Sequence, residues 1–129
     1  LNAATRPDCT RRLATTTSPP SKRGGWCSSR ARCPLAIDGS IPDALTDQVD
    51  QVVANTLLAL EDAGATPGDV VRTVIYVASG ERPDLSAVWQ RLTESALGPA
   101  FSTASTLLGV ACLGFPGQLV ELDVTAALA

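Results

Sequence analysis

Glu121 and Asp123 are two carboxylates, two residues apart, near the end of the chain. They lie in a stretch from Gln118 to Ala126 whose alternation is clean. Val120, Leu122, Val124 and Ala126 point one way, and Leu119, Glu121, Asp123 and Thr125 the other. The first set belongs against a core. Glu121 then meets solvent, a pocket or another subunit, and on spacing alone a solvated strand residue is the simpler reading. Other chemistries are poorly supplied. Histidine is absent, which removes histidine triads and histidine metal ligands. The four cysteines, Cys9, Cys27, Cys33 and Cys112, form no CxxC pair and no zinc-finger spacing, and read as buried or idle thiols rather than a disulfide framework. No Gly-rich phosphate loop follows a strand, so neither a metal nor a cofactor is expected.

The elements that would position Glu121 centre on residues 45–77. Val49, Val52, Val53, Thr56, Leu57 and Leu60 recur at three- and four-residue steps and form one apolar stripe of a helix. Asp47, Asp50, Gln51, Glu61 and Asp62 fall mostly off it. Gly64 stops the helix, and Thr66-Pro67-Gly68-Asp69 reads as a short capped turn. Val70 to Val77 follows as a β-branched strand. Upstream, Asp38-Gly39 marks a tight turn, and Asp43 or Thr46 is expected to cap the long helix. Downstream, a polar loop runs from Ser79 to Pro83. Asp84 is expected to cap a second helix with Leu85, Val88, Trp89, Leu92 and Ala96 on one face. A strand from Ser102 to about Val110 then precedes the final one, across Gly114-Phe115-Pro116-Gly117.

At 129 residues the chain is long enough for one domain with a real core. No apolar run approaches the length that crosses a bilayer. Charge is uneven: residues 1–33 carry a balance of +6 and residues 34–129 one of −9, together the net −3. Residues 1–32 also lack hydrophobic periodicity and are rich in Thr, Ser, Arg, Pro and Gly. A nucleic-acid arm, a transit peptide and a disordered tail compete there. Trp26 is the lone aromatic for an arm, and Pro7, Pro19, Pro20 and Gly24-Gly25 interrupt any amphipathic helix. Simple disorder is the plainest of the three, which divides the chain into an irregular basic segment, 1–32, and a domain, 33–129.

The turn CPLAIDG, the block QVDQVVANTLLALEDAGATPGDVVRTVIYV and the tail STLLGVACLGFPGQLVELDVTA resemble the RidA/YjgF family of reactive-intermediate deaminases over residues 33–129. The resemblance implies an α+β, chorismate-mutase-like fold, a mixed sheet with two helices on one face. It further implies a cytoplasmic homotrimer with clefts between subunits. Active members hydrolyse 2-imino or enamine acids to 2-keto acids and ammonia, with no cofactor. Partners would therefore be a small 2-imino or 2-keto acid and further copies of the chain, with no nucleic acid and no membrane. The family's water-orienting glutamate carries over to Glu121. Its carboxylate-binding arginine falls at Ser105, its second-helix asparagine at Trp89 and its cysteine at Leu107. A serine offers one hydrogen bond where arginine offers a charged, bidentate clamp. The departures predict weak or absent deaminase activity. A non-catalytic trimeric binding or regulatory module is the alternative.

The family also begins with two strands that residues 1–32 do not show. A change of reading frame supplies them. Gly25 to Arg32 can be encoded GGC TGG TGT TCG TCG CGG GCC AGG; read from the last base of the first codon, this gives Leu-Val-Phe-Val-Ala-Gly-Gln, running into Cys33-Pro34-Leu35. The same shift from Asp8 permits a family-like first strand. A frame-shifted, non-functional product is thus a third possibility. It carries the expectation of an irregular segment over 1–32, an open strand edge, and a marginally stable or aggregating protein.

Overall fold

The computed structural model describes residues 25–128, with side chains described from residue 32 onward. Four strands, β1 (Gly25–Arg32), β2 (Val70–Val77), β3 (Ala104–Gly109) and β4 (Val120–Leu128), form a mixed sheet in the order β1-β4-β2-β3. β4 is antiparallel to both neighbours, and β2 and β3 are parallel. Helices α1 (Leu45–Asp62) and α2 (Arg82–Glu94) connect them. Both pack on one face of the sheet, as the family resemblance implies.

That face is where the core sits. Val49, Val52, Val53 and Leu60 of α1 and Val88 and Leu92 of α2 join Ile75, Val77, Val120, Leu122, Val124 and Ala126 in one buried cluster. Burial of so much branched aliphatic surface is the main stabilising term, at about 25 cal/mol per Å² removed from water. Gly64 takes φ 74°, and the Ala65 amide donates to Leu60 O at 2.8 Å, closing α1 in a left-handed cap. The Thr66 turn holds as expected: the Thr66 amide donates to Asp69 Oδ2 at 2.8 Å over a 3₁₀ turn.

Helix starts differ from expectation. α1 begins after Ala44, with no side-chain cap from Asp43 or Thr46. α2 begins after Glu81, so Asp84 lies inside its first turn, where it accepts from Ser79 Oγ at 2.6 Å. Pro83 in that first turn starts the helix earlier, because it leaves no N–H needing a partner.

The expected irregular segment needs a larger correction. Gly25–Arg32 is a strand, paired with β4 from Gly25 opposite Leu128 to Arg32 opposite Leu122, with a register shift between Ser29 and Arg32. Ladder hydrogen bonds join backbones, so an open edge of β4 can recruit a segment without an alternating side-chain pattern. This is the stretch where the shifted frame would read Leu-Val-Phe-Val-Ala-Gly-Gln. The remainder of the expected segment, residues 1–24, lies outside the described residues. Cys33, read as an idle thiol, is disulfide-bonded, while Cys112 is free and exposed.

Two side-chain amides tie the connections to α1. Gln48, fully buried, donates from Nε2 to Pro42 O at 2.7 Å and Gly117 O at 2.8 Å, and its Oε1 accepts from the Leu119 amide at 2.8 Å. Asn55 Nδ2 donates to Cys33 O at 3.0 Å and Leu35 O at 2.9 Å. The CPL turn and the start of β4 are therefore fixed to the same helix.

Candidate functional site on the open sheet face

The alternation of β4 divides the sheet into two faces. Val120, Leu122, Val124 and Ala126 are buried beneath the helices, and Glu121, Asp123 and Thr125 stand half-buried on the other side. β2 adds to that open face through its register. Tyr76 lies opposite Glu121, Val74 opposite Asp123 and Arg72 opposite Thr125. An irregularity between Val70 and Arg72 makes this possible: Val70 lies on the helix side opposite Ala126, and the extra residue turns Arg72 outward. Alternation along a nearly unbroken apolar strand could not show that offset, so Arg72 and Tyr76 were not found from sequence. β3 contributes Thr106 and Leu108, the neighbours of Val74 and Tyr76.

Glu121 is the perturbed acid of this face. Partial burial pushes its carboxyl above the usual carboxylate range, and the negative charge of Asp123 adds to the effect. A carboxyl so raised holds a proton more readily and is a better candidate for proton transfer than a fully solvated one. Among the described residues, no three of His, Cys, Asp and Glu converge to hold a metal.

The residues that stand at the family's other positions lie elsewhere. Ser105 is opposite Thr73 and Leu107 opposite Ile75, so both face the helices. Thr73 Oγ1 donates to Ser105 Oγ at 2.8 Å, and Ser105 Oγ donates to Thr103 O at 3.3 Å. Leu107 packs against the core. Trp89 sits part-exposed on α2, edge-on to Phe101 at 5.8 Å between ring centroids. Glu121 and Ser105 are thus on opposite faces of one sheet, and a single protomer does not bring them together.

Gln48 and Asn55, which set the position of β4 and the CPL turn, were also missed. The signal was present for Gln48: Val52 and Thr56 follow it at four-residue steps, so a polar side chain occupied the apolar stripe.

The family model described as Endoribonuclease L-PSP matches residues 31–128. The chain belongs to this family. Solved structures of Rid proteins agree. YyfB of Yersinia pestis, of the conserved Rid protein family, is 30% identical with a TM-score of 0.63, covering 78% of this chain and 80% of that one. Rv2704 of Mycobacterium tuberculosis, of the YjgF/YER057c/UK114 family, is 27% identical with a TM-score of 0.60, over 80% and 79% of the two chains. YyfA of Yersinia pestis shares the fold at a TM-score of 0.70 and 24% identity, over 81% of each chain. No curated protein matches this Rid chain by sequence. No helix of its described residues is long and apolar enough to cross a membrane.

Proposed function

We propose that this Rid chain is a trimeric relative of the imine deaminases with weak or absent turnover, in which Glu121 is retained and the substrate-binding arginine is replaced by Ser105. The observation that carries this reading is the hydroxyl chain from Thr73 through Ser105 to the Thr103 carbonyl. It occupies the Ser105 hydroxyl on the helix side of the sheet, leaving no charged clamp at the arginine's position. Loss of such a bidentate, charge-assisted contact removes on the order of 2–4 kcal/mol, about thirty- to nearly a thousandfold in rate. Trp89 and Leu107, bulky and apolar where the family has asparagine and cysteine, add no polar group for a small acid.

The open face supports assembly. It leaves Tyr76 partly exposed and Leu108 exposed, and burying such a sheet face against other copies is the ordinary solution. Among the described residues the same face carries two carboxylates, Glu121 and Asp123, to one guanidinium, Arg72. That balance suits a phosphate backbone poorly and argues against nucleic acid as the substrate.

The test is hydrolysis of a 2-imino acid generated in situ, with the 2-keto acid followed as product. Turnover should stay close to the buffer rate and be unchanged in Glu121→Ala. Robust turnover that this substitution abolishes would overturn the reading and restore a full deaminase.

A further inference from the structure

The open face is electrostatically lopsided. Its acids, Glu121 and Asp123, sit toward one end of β4, and its described cation, Arg72, sits toward the other end of β2. Asp123 lies opposite Val74, one step diagonally from Arg72, within reach of a long side chain. Glu121 is opposite Tyr76, four residues further along β2, or ~13 Å from Arg72 at the rise of a strand. Among the described side chains of β4 and β2, the charged and titratable neighbours of Glu121 are therefore Asp123 and Tyr76, and the flanking Leu108 of β3 is apolar. The raised carboxyl of Glu121 follows from the same arrangement: it is half-desolvated, and the neighbour that acts on its charge is an acid.

Burying this face makes the imbalance worse unless a cation arrives, because a carboxylate taken from water needs a partner. We propose that Arg72 of one copy pairs with Glu121 of the next when the open faces associate. The inference rests on the trimeric reading above and adds the contact that gives it direction. Made once per interface, a contact that joins the Arg72 end of one face to the Glu121 end of another is heterologous, and such contacts form a ring where the rotation between copies closes. It also completes the site. The guanidinium missing from position 105 would be replaced near Glu121 by one from the neighbouring copy, which holds Glu121 ionised.

Reciprocal charge exchange tests this. Arg72→Glu and Glu121→Arg are made singly and together, and assembly is followed by light scattering over a range of protein concentration and salt. Each single exchange should raise the concentration at half-assembly by about tenfold or more. The double exchange should recover most of that loss, and added salt should weaken both the parent and the double-exchange assemblies. Circular dichroism separates lost assembly from lost fold, and Arg72→Gln, which removes charge without adding repulsion, should fall between parent and Arg72→Glu. A parent that assembles while Arg72→Glu assembles equally well overturns the pairing and leaves the trimer standing. Failure of the double exchange to recover assembly also overturns the pairing. A parent that stays monomeric at every concentration overturns the trimeric reading and the pairing together.

Discussion

The two faces of β4 share one backbone and have opposite physics. Leu122 is fully buried beneath α1 and α2, and Glu121, the residue before it, is half-buried on the face away from the described helices. On the helix side, side chains are chosen by volume and apolarity. On the open side they are chosen by charge and hydrogen-bonding capacity, because among the described residues no helix packs over them. The fold of the protomer should accordingly depend on one set and barely on the other.

The sharpest break of that contrast is a pair of substitutions one residue apart. Leu122→Ala removes a side chain that the helices and strands enclose, and should cost about 2–5 kcal/mol in denaturant unfolding. Glu121→Gln should change the stability of the protomer by no more than about 0.5 kcal/mol, measured below the assembly concentration. Equal effects from the two would mean that the open face is part of the protomer core. The division between layers would then be wrong.

Gln48 qualifies the contrast, since it is a polar side chain wholly inside the apolar layer. It is tolerated there because its described hydrogen bonds satisfy both ends of the amide: two carbonyls accept from Nε2, and the Leu119 amide donates to Oε1. Gln48→Leu keeps much of the volume but strands those backbone groups. It should cost roughly 1–3 kcal/mol. The Leu119 amide should exchange with solvent markedly faster than those inside β2. Unchanged exchange at Leu119 would show that water replaces the amide without loss.

What could be read from the sequence followed from these layers. Local periodicity specified the helix-facing side: the stripe of α1, the Gly64 stop, the Thr66 turn and the alternation of β4 all hold as read. Residues 70–77 were placed correctly as a strand, but the outward turn of Arg72 depends on a pairing irregularity with β4, fifty residues away in sequence. The position of Ser105 was aligned along the chain, yet which sheet face it occupies depends on its pairing with Thr73. The sequence of Gly25–Arg32 carries no strand pattern, and backbone pairing with the edge of β4 makes it a strand. Non-local backbone pairing thus accounts for the main misses. In the candidate site, Glu121 was legible and its neighbours Tyr76 and Arg72 were not.

The smallest expected effect lies outside both faces, on the surface joining the helices. Arg91 of α2 donates from Nε to Asp50 Oδ1 and from Nη2 to Asp50 Oδ2, each at 2.7 Å. That hydrogen bonding holds the Asp50 carboxyl below its usual 3.8 against the opposing effect of desolvation, and the charge of Arg91 adds to the lowering. Both side chains are about half exposed, so water and salt screen the pair and the order of the helices does not depend on it. The sign of the pH dependence follows from the lowered value. With a folded-state pKa below the unfolded one, the contribution is fully present above about pH 4 and is lost as pH falls through the folded value. Arg91→Ala should therefore lower the unfolding midpoint slightly at neutral pH and low salt. The difference from the parent should shrink below pH 3.8 and in high salt. A difference that persists at pH 2.5 would assign the effect to lost packing of the Arg91 stem rather than to the ion pair. The α1–α2 contact would then belong with the apolar layer.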